Sequence, residues 1–254
     1  MTLKPEVIVT SDSTELARAA VRIFVKAAKD SVARKGCFTV ALSGGSTPRH
    51  MNRMLAQEPH CSSIAWGKTH IFWADERCVP VDDPASNYGT ARRDFLGRIP
   101  IPIDHVHPMP GEAAPEEGAE IYRNELKTLF ASKEGEFPAF DLILLGIGLD
   151  GHTASLFPAT PSAALSKKWV VAVKGGTPDV HRLTLTYHIL NRANHICFLV
   201  SGESKAPIVK VTFENKQAGL PAQKVQPING RLTWLMDQQA SSLLTTTLEG
   251  LEGL

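Results

Sequence analysis

A chain of 254 residues with 43% hydrophobic and 21% charged residues can bury one large α/β core or two small ones, which excludes a fibrous or disordered polypeptide. A net charge of +1 excludes long-range attraction to nucleic acid or anionic membrane, so any anion must be held by a local group of residues. No apolar run nears the roughly 20 residues that span a bilayer; the N-terminal stretch, with Glu6 and Asp12, lacks the apolar core of a secretory signal, and Cys37, Cys61, Cys78 and Cys197 lack metal or CxxC spacing, as expected of reduced thiols in the cytoplasm.

Residues 7–10 read as a first strand, and Ser11, Asp12 and Ser13 offer N-caps for a helix to about Lys35, where Gly36 ends it. Leu16, Ala20, Ile23, Phe24 and Ala27 give that helix its apolar face. Residues 38–42 form a second strand running directly into SGGSTP, and Pro48 suits the first turn of a helix through Met51 and Leu55. Residues 70–74 are a third strand, with Asp75, Glu76 and Arg77 placed just past its end. A helix over 87–96, a proline- and histidine-rich loop over 99–111 and a helix over 115–132 with an acidic first turn come next. Residues 141–145 are the fourth strand, 169–173 and 182–186 are further strands, and 196–200 is a buried strand leading to a helix over 204–214. Residues 232–236 make the last strand, Asp237 caps a final helix, and the tail from about 245 is expected to fray. Strands alternating with helices predict a mostly parallel sheet covered on both faces, in one domain over 1–254 with a small helical lobe at about 84–136.

Chemistry concentrates in three strand-to-loop junctions. GIGLDGHTASLFP at 146–158 sets Asp150 and His152 among Gly146, Gly148 and Gly151, and a histidine beside an acid at a strand's carboxyl end has the makings of a general base. Ser43-Gly44-Gly45-Ser46-Thr47 lies between a strand and a helix, where converging amides and a helix N-terminus bind phosphate, although it is neither a Walker loop nor GxGxxG and also reads as a tight turn. Asp75, Glu76 and Arg77 place an acid and a base over the same crevice or form a solvated ion pair. Arg182 at a strand start and Lys205 in a helix's first turn are ordinary surface charges or partners of a phosphate dianion. The other histidines show no HExxH-type spacing, and there is no GxSxG.

Taken in order, ALSGGSTP (41–48), FWADERCVP (72–80), Asn87-Tyr88, LLGIGLDGHTASLFP (144–158), RLTLT (182–186), VSGESKA (200–206) and GRLTWLMD (230–237) resemble the 6-phosphogluconolactonase family over nearly the whole chain. The specificity lies in the combination. That family shares its fold with glucosamine-6-phosphate deaminases and, more distantly, ribose-5-phosphate isomerases, so the resemblance implies an α/β, Rossmann-like sheet with a sugar-phosphate site at the strand ends. Deaminases carry an acid immediately before the proline that follows DGH; here Phe157 precedes Pro158, which weakens that alternative. A non-catalytic sugar-phosphate sensor is the other rival, and it needs a DNA-binding module that this sequence does not display.

The resemblance implies hydrolysis of 6-phospho-D-glucono-1,5-lactone, the second step of the oxidative pentose phosphate pathway, without cofactor or metal. His152 is then the base and Asp150 orients either His152 or the loop, while Asp75 holds hydroxyls or orients catalytic groups and Arg77 serves phosphate or oxyanion. Gly44, Gly45 and Ser46, flanked by Ser43 and Thr47, cradle the phosphate, with Arg182 and Lys205 neutralising it. The expected partner is this small sugar-phosphate lactone, with no nucleic acid or membrane, bound by a monomer or weak dimer.

Overall fold

The computed structural model describes residues 4–131, 137–158, 160 and 167–245. The expected fraying beyond 245 and the last expected helical residue, Ser132, lie outside the described residues.

Seven parallel strands form the main sheet. They are β1 (Glu6–Thr10), β2 (Phe38–Leu42), β3 (Thr69–Trp73), β5 (Val106–His107), β6 (Leu142–Leu145), β9 (His195–Val200) and β10 (Arg231–Asp237), in the order β1-β10-β9-β6-β2-β3-β5. Every residue of β2, β6 and β9 is buried, as continuous apolar strands covered on both faces must be. The helix α1 (Ser13–Lys35) starts where Asp12 Oδ1 accepts the Thr14 and Glu15 N–H groups at 2.8 and 2.9 Å, and stops at Gly36, whose φ of 84° suits glycine. The helices α2 (Ser46–Leu55), α3 (Asn87–Asp94), α4 (Pro115–Leu129), α5 (Tyr187–Leu190), α6 (Ala206–Glu214) and α7 (Gln238–Ser241) follow along the chain.

The strand order sets the site. From β2 the chain moves outward one way to β3 and β5; from β6 it moves the other way to β9 and β10. The β2/β6 boundary is therefore a topological switch point, where ligands bind outside the carboxyl ends of the strands.

Two expectations need correction. Asp75, Glu76 and Arg77 do lie just past the third strand, yet not as a solvated ion pair: they form a strand of their own, β4 (Asp75–Arg77), which pairs antiparallel with β8 (Val180–Leu185); β8 in turn pairs antiparallel with β7 (Val170–Gly175). This second, three-stranded sheet joins the first at Ala74, whose N–H donates to Leu42 O and whose carbonyl accepts from Leu185 N. The stretch 99–111 also holds more than loop: β5 makes the edge of the main sheet, bonded to β3 through Ile71↔Val106 and Phe72↔His107. In the region expected as a small lobe, α4 packs on β7 and β8 and sends Tyr122 and Leu126 into the principal core.

Candidate active site

Three loops converge at the switch point. The first leaves β2 at Ser43, turns through Gly45 (φ 110°) and enters α2, whose first turn has no side-chain cap. Its N–H groups are therefore not taken by a capping side chain, and the helix dipole favours an anion there. The second leaves β6 at Gly146 and closes tightly on itself: Gly148 N–H donates to His152 O at 2.8 Å, Gly151 N–H to Gly148 O at 3.0 Å, and Thr153 Oγ1 to Gly146 O at 2.9 Å. Ala222 N–H braces it from outside through Gly151 O at 3.0 Å. The third leaves β9 at Ser201 and Gly202, which are tied to the buried Asp237 of β10, and delivers Lys205.

Together with β4 and β8 these loops line a cleft of about 210 Å³, whose walls include Ser43, Gly44, Gly45, Ser46, Thr47, Asp75, Arg77, His152, Arg182 and Lys205. Two of the sequence-based candidates, Glu76 and Asp150, are not part of the wall; Asp150 stands behind His152, its Oδ1 2.6 Å from Nδ1. A larger groove of about 390 Å³ runs beside α1, past Arg22, Lys26 and His60, but among the described residues it has no glycine loop and no hydrogen-bonded acid–histidine pair.

An ionised carboxylate accepts only, so the Asp150 contact places a proton on Nδ1, and in the neutral ring the lone pair is then on Nε2. Burial works against the Asp150 charge, but the His152 N–H, the His152 ring and its Coulombic attraction together hold the carboxyl below its usual range. The Phe157 ring, 4.8 Å from the imidazole by centroid, closes one side, and the Arg182 guanidinium lies 5.6 Å from the same Phe157 centroid.

Arg182 and Arg77 are cross-strand neighbours in the β4–β8 register. Arg182 is buried and rigidly placed, donating from Nε to Gly175 O at 2.8 Å and from Nη2 to Pro178 O at 3.2 Å. Burial, then the Arg77 charge, push its pKa down. Arg77 gives Nη1 to Ala85 O, while its buried Nε has no partner among the described residues. Lys205 Nζ reaches Ile147 O at 2.7 Å, and burial lowers its pKa. Cations brought together against burial and mutual repulsion form a site that an anion stabilises.

Asp75, 5% exposed, accepts the Ser155 hydroxyl at 2.7 Å and faces the Asn87 amide. Its neighbour Glu76 points away from the cleft: it accepts the N–H groups of Arg77, Asn87 and Tyr88, each at 2.7 Å, and so anchors the start of α3. Burial pushes the Glu76 carboxyl up against those bonds. Sequence reasoning had assigned no role to Asn87 or Ser155. The sign for Asn87 was its place just after Ser86, an N-cap; for Ser155, its position three residues beyond His152 in the glycine-rich loop. Among the described residues no group of three or more His, Cys, Asp or Glu could hold a metal ion.

Residues 11–234 match the family described as glucosamine-6-phosphate isomerases/6-phosphogluconolactonase. The 6-phosphogluconolactonase of Synechocystis sp. is 46% identical over 218 residues, covering 84% of this chain and 88% of that one. Its counterpart from Nostoc sp. is 37% identical over 247 residues, covering 96% and 100%. The structure of 6-phosphogluconolactonase from Trypanosoma cruzi superposes with a TM-score of 0.84 at 28% identity over 97% of this chain and 99% of that one. The chain belongs to the glucosamine-6-phosphate isomerase/6-phosphogluconolactonase family.

Proposed function

We propose that this chain hydrolyses 6-phospho-D-glucono-1,5-lactone to 6-phosphogluconate in the oxidative pentose phosphate pathway, with His152 as general base. The observation that carries this reading is the shared cleft: the imidazole of His152, set by Asp150, faces the same space as the Gly44–Thr47 cradle, Arg182 and Lys205. A molecule with a phosphate at one end and a carbonyl at the other fits that division of labour.

The phosphate rests on the loop amides at the start of α2, with Lys205 and the arginines balancing its charge. Binding this remote group orients the reacting carbonyl. His152 Nε2 takes a proton from water as the water oxygen bonds to C1. The tetrahedral intermediate collapses, the bond from C1 to the ring oxygen breaks, and the imidazolium returns the proton to that oxygen. The new carboxyl group then loses its proton to solvent. Arg77, with an unused buried Nε, serves the phosphate or the developing oxyanion. Asp75, held by Ser155 and Asn87, faces the sugar hydroxyls.

Phe157 supports this reading over amino-sugar ring opening, since a phenyl ring beside His152 transfers no proton. The four unpaired cysteines fit the cytoplasm.

The test is turnover of freshly generated lactone, corrected for spontaneous hydrolysis. Wild type is expected to accelerate it, and His152→Ala to lower kcat by about a hundredfold or more. Near-normal turnover by a folded His152→Ala would remove the general-base role.

A further inference from the structure

Asn87 is a cleft residue that the reaction as described leaves without a contact to substrate. It opens α3 and lies between Asp75 and the β2 loop. Its amide cannot flip freely. Nδ2 donates to the Asp75 carbonyl at 2.9 Å and faces Asp75 Oδ1 at 3.5 Å, and both are acceptors, so the nitrogen must point to them. Oδ1 is thereby turned toward Gly44, where a Cβ would come within 1.8 Å of it. No described residue donates to this oxygen, yet it is not one of the sealed-off polar atoms of the interior; it opens on the cleft.

An amide oxygen whose nitrogen is already committed is purely an acceptor. It takes an O–H, and it repels a phosphate oxygen. The loop amides beyond Gly44 have the opposite character. Glu76 makes this arrangement rigid: Oε1 accepts from the N–H groups of Arg77 and Asn87, and Oε2 from Tyr88 N–H and, at 3.3 Å, the Ser86 hydroxyl. With 2% exposure, that carboxylate fixes the first turn of α3 to β4.

We infer that Asn87 Oδ1 accepts a hydrogen bond from one ring hydroxyl of the substrate. Asn87 is then a specificity-determining residue that distinguishes the fully hydroxylated lactone from a deoxy analogue, and Glu76 is its positioning residue. This inference rests on the lactonase reading above.

The experiment uses the parent lactone and its 2-, 3- and 4-deoxy analogues, each generated by oxidising the corresponding aldose 6-phosphate, and compares kcat/KM for wild type and Asn87→Ala. Wild type is expected to turn over the parent and to lose about tenfold or more on one analogue, the loss that follows when a buried acceptor goes unpaired. Asn87→Ala is expected to be slower on the parent by a similar factor and to treat that analogue and the parent alike within about twofold. Asn87→Ser serves the same comparison if the alanine variant does not fold. Glu76→Gln keeps Asn87 but is expected to weaken the discrimination, chiefly through KM. Wild-type turnover without discrimination at any position overturns the inference alone, as does a folded Asn87 variant that keeps wild-type discrimination. No acceleration of the parent lactone overturns the functional reading and this inference with it.

Discussion

Gly148 has no side chain because the acid–histidine pair occupies the space. A Cβ there would lie 2.0 Å from Nδ1 and 2.1 Å from Cε1 of His152, and 2.7 Å from Asp150 Oδ1. Ordinary contact begins near 3.4 Å, so in Gly148→Ala the ring must retreat by about 1.4 Å (3.4 − 2.0) and the carboxylate by about 0.7 Å (3.4 − 2.7). Gly148 is not among the glycines with positive φ, so alanine meets no backbone strain, and the His152 side chain, 30% exposed, has solvent to swing into. The fold should survive while the Asp150–His152 bond does not. Misplacing a reacting group by about 1 Å costs on the order of a hundredfold, and losing a general base roughly 10²–10⁴-fold. Gly148→Ala is therefore expected to lower kcat by roughly 10²–10³-fold while Tm stays within about 3 °C of wild type. Steady-state assays on fresh lactone, paired with a thermal melt, read both quantities. A variant that melts normally and keeps kcat within about threefold of wild type would refute the claim that the position of the imidazole limits the rate.

Arg182→Ala is expected to raise KM about tenfold or more with kcat largely retained, and to cost about 2 kcal/mol of stability as Gly175 O and Pro178 O lose their donor; a fall in kcat alone would move Arg182 to the chemistry. Asp237, 1% exposed, accepts from Ser201 Oγ, Gly202 N–H and Ala240 N–H, so Asp237→Ala should cost about 2–4 kcal/mol in urea unfolding and raise KM by loosening the turn that carries Lys205; an unchanged midpoint contradicts this. His195 is buried, and burial first, then the Arg231 charge, lower its pKa from 6.5 to about 4. Between those values the unfolded chain binds a proton that the native ring refuses, so stability present above pH 6.5 is lost as pH falls toward 4, on the order of 3 kcal/mol in full. Urea unfolding at about pH 7 and about pH 5 should show a smaller acid loss in His195→Gln than in wild type; equal losses would assign the effect elsewhere.

Much of this architecture could be read from residue order because its signals are local. FTVAL, LILL and HICFLV are buried on both faces, so apolar runs with turn residues at their ends mark them as strands without knowledge of their neighbours. The same holds for SGG and GIGLDGH, whose glycines and polar residues sit at strand ends. The second sheet was not legible in this way. Three charged residues, DER, read only as charges beyond a strand's end; they become a strand because β8, more than a hundred residues later, pairs Asp75 with Thr184 and Arg77 with Arg182. Likewise β5 is two residues of a proline-rich stretch, defined only by its register with β3. The candidate residues could be named from their loops, but the inward role of Asn87 and the outward role of Glu76 depend on which side of a distant partner each atom faces.

The junction at Ala74 bears on how the chain grips a ligand. One residue is hydrogen-bonded to both sheets, at 2.7 Å to Leu42 and 2.8 Å to Leu185, and the next residue is Asp75. The distance between the anion end of the groove and the arginine wall is thus gauged by main-chain geometry rather than by a hinge. Parting the two sheets as rigid jaws would break both bonds, so this seam holds Asp75 and the β4–β8 wall against the end of β2.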